Sequence, residues 1–169
     1  DDDPAMIRAA TTPRRGIGAQ TLKALGEYAG ERDQSLFTAL FEAGVEVHAL
    51  RDPTRGGVAA VLNEIASASH VGVVIDEVTV PVAAEVRSAW ALLGLDPMQV
   101  ANEGRLVAWV AGRDGERAVQ VLRACTGGEQ AVAIGHVVDE HPGMVVGRTA
   151  IGGTRIIDVP LGELLPRIC

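Results

Sequence analysis

With 169 residues, the chain is long enough for one domain with a proper core, or for one domain plus an extension. Hydrophobic residues make up 47% and aromatics only 3%, so that core must be built from Val, Leu, Ile and Ala, and little is left to stack on single-stranded bases. A net charge of −7 argues against a general polyanion binder.

Residues 1–44 read as a short helical segment. Asp3-Pro4 opens a helix to about Ala10, Pro13 interrupts it, and Gly16-Ile17-Gly18 makes a tight turn. A second helix runs from about Ala19 to Ala29 and a third from about Gln34 to Ala43. The turn exposes backbone N–H groups beside Arg14 and Arg15. Gly16 and Gly18 with these two arginines are therefore a candidate DNA phosphate contact, set against a plain turn between packed helices.

From residue 45 strands and helices are interspersed, and no lysine occurs. The patterning predicts a strand at Val47–Arg51, a helix at Gly57–Ser69 with Val58, Val61, Leu62 and Ile65 on one stripe, and a buried strand at Val71–Ile75. It predicts a helix starting at Pro81 and stopped by Gly94, a strand at Arg105–Ala111, and a helix capped by Asp114 through about Cys125. A strand at Ala131–Val138 follows. Met144–Thr149 and Thr154–Val159 then flank Gly152-Gly153 as a hairpin. The fold class expected is α+β: a mixed β-sheet with packed helices, preceded by the short helical segment.

Two segments carry chemistry. Arg51-Asp52-Pro53-Thr54-Arg55-Gly56-Gly57 joins a predicted strand to a predicted helix. Thr54 is positioned to cap that helix. Gly56 and Gly57 leave its first N–H groups open to an anion, and Arg55 adds charge for a phosphoryl oxygen. No Gly-Lys-Ser/Thr follows, so this is not a Walker loop, and structural glycines in a strand-to-helix turn explain the spacing equally. Val100-Ala101-Asn102-Glu103-Gly104 precedes a strand. Glu103, held partly desolvated between Asn102 and Gly104, is a candidate general base, set against an ordinary loop carboxylate pairing with Arg105.

The third feature is Cys169 in Leu165-Pro166-Arg167-Ile168-Cys169. Pro166 stops a helix over Leu161–Leu165, so residues 166–169 can swing the sulfur by about 14 Å at 3.4 Å per residue. This geometry suits a covalent carrier, or a frayed end that happens to finish in Cys. With only Cys125 besides, no disulfide framework is expected. The thiols are expected to be reduced and the protein cytoplasmic, without signal peptide or membrane span. His136, His141 and Cys125 lack metal-ligand spacing, and no metal site is expected.

Arg51–Gly57, Val71–Asp76, Leu95–Arg105, Gly152–Asp158 and the ending Pro166-Arg167-Ile168-Cys169 together resemble the hydrogenase expression/formation protein E family. This is the carbamoyl dehydratase of NiFe-hydrogenase maturation, in the aminoimidazole ribonucleotide synthetase superfamily. The resemblance covers about residues 45–169 and is to the family's C-terminal domain. It implies that a carbamoyltransferase partner loads the thiol of Cys169. ATP, with Mg, then phosphorylates the thiocarboxamide oxygen. Loss of a proton and of phosphate leaves a thiocyanate, which passes to an iron-scaffold complex. In that scheme Cys169 and Glu103 are catalytic, Asp52, Thr54, Arg55, Gly56 and Gly57 face the phosphates, and Asn102 and Arg167 support them. The neighbouring α-carboxylate is expected to raise the thiol pKa, and Arg167 to offset that in part.

Residues 1–44, with Thr11–Gly18 and Thr21-Leu22, resemble instead a fragment of Rep-type superfamily 1 DNA helicases. The chain is thus expected to be a chimera lacking the family's N-terminal domain. Such an enzyme is incomplete, binds neither ATP nor Mg tightly and is inactive alone. The rival readings are a helicase-derived DNA-binding module, disfavoured because one phosphate contact binds weakly, and an inert structural fragment.

Overall fold

The computed structural model describes residues 36–159. The helices expected before residue 30 lie outside them. The described part consists of α1 (Leu36–Glu42), β1 (Val47–Arg51), α2 (Gly57–Ser69), β2 (Gly72–Asp76), α3 (Ala84–Leu93), β3 (Val107–Val110), α4 (Gly115–Ala124), β4 (Gly135–Val138), β5 (Val145–Arg148) and β6 (Thr154–Ile156). Two 3-10 turns, Pro97–Gln99 and Gly112–Asp114, precede β3 and α4 respectively.

The strands form two sheets. β1 and β3 pair antiparallel, with Arg51 opposite Val107. The other sheet has the order β4-β2-β5-β6, in which β2 runs parallel to β5 and the outer pairings are antiparallel. The mixed sheet and the hairpin across Gly152-Gly153 are as the sequence predicts.

Two aliphatic clusters hold the fold. In the larger, Ala59, Leu62 and Ala66 of α2 meet Val73 and Ile75 of β2, Val145 of β5, Met98 and Ile157. Apolar residues at positions i, i+3 and i+7 of α2 therefore face a sheet that offers apolar residues at alternate positions. The smaller cluster joins Leu40 of α1 to Val45 and Ala118 of α4, so α1 packs with elements on the far side of the 44/45 join.

Two expected helix starts differ from the structure. α3 begins at Ala84, three residues after Pro81. Val80 and Val82 both pack on the larger cluster. A spacing of two reaches one side only in extended chain, so burial of this valine pair holds the segment out of the helix.

Asp114 makes no side-chain cap on α4. Its buried carboxylate instead accepts the backbone N–H of Glu46 at 3.0 Å and the guanidinium of Arg117, tying α4 to the approach to β1. The Glu46 N–H holds the Asp114 pKa below the usual range. Burial opposes this, and Arg117 and Arg113 reinforce it. A depressed carboxylate stabilises the fold above the unfolded-state pKa of about 3.9, and that contribution disappears as the pH falls through the lower folded value. Asp114→Asn should therefore lower the melting temperature at neutral pH. Its deficit against the unsubstituted chain should shrink in melts taken below about pH 4.

Candidate functional site

The two chemistry-bearing segments, about fifty residues apart in sequence, lie against each other. β1 ends at Arg51 opposite Val107 near the start of β3, so the loop leaving β1 and the loop entering β3 emerge at one end of this sheet. Their backbones are joined directly: the N–H of Asn102 donates to the carbonyl of Pro53 at 3.0 Å. Pro53 is fully buried, which gives that bond a fixed acceptor.

Gly57 makes the second junction. It has φ +64°, and a Cβ there would lie 2.5 Å from the carbonyl oxygens of both Met98 and Val100. The space beside this glycine is filled by the backbone that leads to Asn102 and Glu103. Its want of a side chain thus serves loop-on-loop packing as well as any approach of an anion. Gly56 is also left-handed and occupies the N-cap position of α2, without a side-chain cap. Thr54 is not the cap expected from the sequence: its hydroxyl donates to the Asp52 carboxylate two residues back. Arg55 is exposed at the tip of the loop. Behind it, Arg51 pairs with Glu64 of α2 at 2.6 Å.

A cavity of about 520 Å³ is lined by Asn102, Glu103, Gly104 and Arg105 on one side and by Gly127, Glu129 and Gln130 on the other. Its described walls are polar. Glu103 is exposed rather than partly desolvated: among the described residues the cavity it lines is walled by Asn102, Gly104, Arg105, Gly127, Glu129 and Gln130, all polar or glycine.

Sequence reasoning assigned no role to the groups that brace this region from behind. Arg155 of β6 binds Glu77 at 2.6 and 3.2 Å and Asp96 at 2.6 Å. Hydrogen bonding to Glu77 holds its guanidinium still more firmly protonated against the effect of burial, with Asp96 adding to it. The other oxygen of Asp96 caps the Pro97–Gln99 turn by accepting the Met98 N–H at 2.9 Å. The available signal was Thr154-Arg155 following Gly152-Gly153, a stretch that declares a hairpin but not the partner of its arginine.

Cys169, Arg167, Arg14, Arg15, Gly16 and Gly18 lie outside the described residues. Among the described residues no group of three or more His, Cys, Asp or Glu side chains could hold a metal ion. No described helix is long and apolar enough to cross a membrane.

The family described as AIR synthase related protein, C-terminal domain, matches residues 8–147. The chain belongs to this family. Its AIR synthase-related fold agrees with solved relatives. The crystal structure of hydrogenase maturation protein HypE in complex with ATP superposes with a TM-score of 0.72 at 42% identity, covering 79% of this chain and 41% of that one. A chain of the crystal structure of a HypE–HypF complex gives 0.67 at 40% identity, over 74% of this chain and 40% of that one. In sequence, the carbamoyl dehydratase HypE of Rhizobium leguminosarum bv. viciae is 50% identical over 126 residues, or 75% of this chain and 36% of that protein. This AIR synthase-related chain thus spans well under half the length of the HypE proteins it matches, and corresponds to their C-terminal part. The family match begins at residue 8, ahead of Arg14–Gly18.

Proposed function

We propose that the chain is the C-terminal part of an ATP-dependent carbamoyl dehydratase of hydrogenase maturation. The observation that carries this reading is the junction of the Asp52–Gly57 and Asn102–Glu103 loops in a chain that is 50% identical over 126 residues to a carbamoyl dehydratase. A phosphoryl-transfer site needs an anion-facing loop and a proton acceptor within reach of one substrate. The Asn102–Pro53 bond and the Gly57 contact hold two such segments together.

The residues present fit a nucleotide phosphate. Arg55 is exposed beside the first turn of a thirteen-residue helix, and Asp52 offers carboxylate oxygen of the kind Mg takes. When bound, ATP supplies the phosphoryl group that turns the carbamoyl oxygen into a leaving group. Cys169 carries the carbamoyl group as a thiocarboxamide. Glu103 accepts an N–H proton as the C–O bond breaks. The carbon–nitrogen bond order rises to three, oxygen departs as phosphate, and the second N–H proton is released. The product on sulfur is a thiocyanate. A carbamoyltransferase loads the thiol, and an iron-bearing complex receives the cyano group.

The test is intact-protein mass spectrometry of the chain incubated with a carbamoyltransferase and its carbamoyl donor. One carbamoyl group on Cys169 is expected. Because the chain spans so little of its relatives' length, ATP should then dehydrate that group only when the remaining part of such an enzyme is supplied. Carbamoylation elsewhere, or none, refutes the reading.

A further inference from the structure

The stretch that brings Asn102 and Glu103 to the Asp52–Gly57 loop has little of its own to hold it. The Pro97–Gln99 turn is three residues long, and a 3-10 turn of that length makes few bonds, of poor geometry. Its backbone bonds run from the Gln99 N–H to the Asp96 carbonyl at 3.0 Å and from the Val100 N–H to the Pro97 carbonyl at a long 3.4 Å. The Asp96 carboxylate adds a third, charge-assisted bond by accepting the Met98 N–H at 2.9 Å. Its other oxygen takes the Arg155 guanidinium at 2.6 Å, and Arg155 is also forked onto Glu77 at 2.6 and 3.2 Å. Glu77 is itself fixed, with its N–H on the Arg148 carbonyl of β5 at 3.1 Å. The turn is thereby moored to the four-stranded sheet, through Arg155 to β6 and through Glu77 to β5.

On its other side the turn reaches the site. The carbonyls of Met98 and Val100 close over Gly57, and the Asn102 N–H meets Pro53. The Asp52–Gly57 loop is held at both ends, by β1 and by α2, whereas residues 100–106 form neither helix nor strand. A slackened turn therefore displaces Glu103 and leaves the other loop in place. We propose that Asp96 is a positioning residue: gripped by Arg155, it sets the Pro97–Gln99 turn and thereby the place of Glu103 relative to the Asp52–Gly57 loop. The proposal rests on the reading of these two loops as one dehydratase site. Proton removal from a bound substrate is sensitive to misplacement by about one ångström, so a carboxylate on an unstructured stretch needs such an anchor.

The experiment reads loop placement apart from turnover. In the full 169-residue chain, amide exchange is followed by NMR at Asn102, whose N–H is on Pro53, and at Ala111, whose N–H is on Glu46 at the other end of the β1–β3 pair. Arg155→Met is expected to speed exchange at Asn102 about tenfold or more relative to Ala111, and Arg155→Lys to restore part of the difference. Asp96→Asn can still cap Met98 with its amide oxygen but turns an NH₂ toward the guanidinium donors. It should give a similar change, and Arg155→Met should add little on top of it. Equal acceleration at both amides, no change at Asn102, or additive effects of the two substitutions overturns the proposal. If Arg155→Met melts too low to assay, Asp96→Asn alone decides by the same ratio. With the rest of the relatives' length supplied, Arg155→Met should lower kcat for dehydration about tenfold or more and leave the KM for ATP within about twofold. A raised KM at unchanged kcat counts against the proposal. A changed exchange ratio in a chain that takes no carbamoyl group refutes the dehydratase reading alone, and an unchanged ratio in a chain that takes one refutes the positioning alone.

Discussion

Gly57→Ala is expected to lower stability by about 2–4 kcal/mol, combining left-handed backbone strain with overpacking. For a chain of this size that is a fall in melting temperature of roughly 5–15 °C. The two contributions are separable in origin. φ +64° is strained for any residue with a Cβ, and the added carbon would sit 2.5 Å from two carbonyl oxygens. Neither oxygen can swing away as a side chain could, because both belong to backbone, with Met98 buried and its N–H held by Asp96 and the Val100 N–H on the Pro97 carbonyl. Relief must come from moving residues 98–103 off the Asp52–Gly57 loop, which stretches the Asn102–Pro53 bond. Gly115→Ala supplies the contrast. It opens α4 with an ordinary helical φ of −54° and has nothing within 4 Å of an added Cβ, so the same chemistry should be neutral or stabilising by about 0.4–1 kcal/mol. Denaturant melts that find the two variants equally stable would remove the argument for loop-on-loop packing.

The elements whose period and punctuation agree were legible in the sequence. Gly57–Ser69 has a glycine pair at its head and an apolar stripe, of which Val61 and Leu62 are buried while Ala59 and Ala66 take the places expected for Val58 and Ile65, and Val47–Arg51 is a short strand between turns. The hairpin is declared by Gly152-Gly153. Legibility failed where a long-range contact overrode a local habit. Thr54 and Asp114 are both good cap residues by type, yet each gives its side chain to a different partner: Asp52 takes the Thr54 hydroxyl, and the Glu46 N–H takes Asp114 across the fold. Val80 and Val82 likewise favour burial over an early helix start.

The same contrast runs through the site. Both loops could be named from residue type, but their adjacency follows from β1 pairing with β3, a contact between segments more than fifty residues apart. Arg155, Asp96 and Glu77 illustrate the harder case. An arginine in a hairpin strand has many possible carboxylates, and only the placement of the turn at Pro97–Gln99 beside the end of β2 selects these two.

Glu103→Gln is expected to remove dehydration while sparing capture of the carbamoyl group. Gln keeps the shape and the hydrogen-bonding reach of Glu but cannot accept the N–H proton. Loss of a positioned general base costs typically about 10²–10⁴-fold in rate. Glu103 is exposed and lines the cavity between Asn102–Arg105 and Gly127–Gln130, so the substitution buries no new polar group. In a preparation competent for turnover, with the rest of the relatives' length supplied, the variant should therefore accumulate thiocarboxamide on Cys169 and release phosphate slowly, at nearly unchanged KM for ATP. Asp52→Asn should separate from it. Asp52 holds Thr54 within the loop proposed to face the phosphates, so on that proposal its loss should raise the KM for ATP more than it lowers kcat. Glu103→Asp, which retains a base about one methylene too short, should recover part of the rate. Full phosphate release by Glu103→Gln would show that the proton leaves to another acceptor, and would return Glu103 to the status of a solvated loop residue.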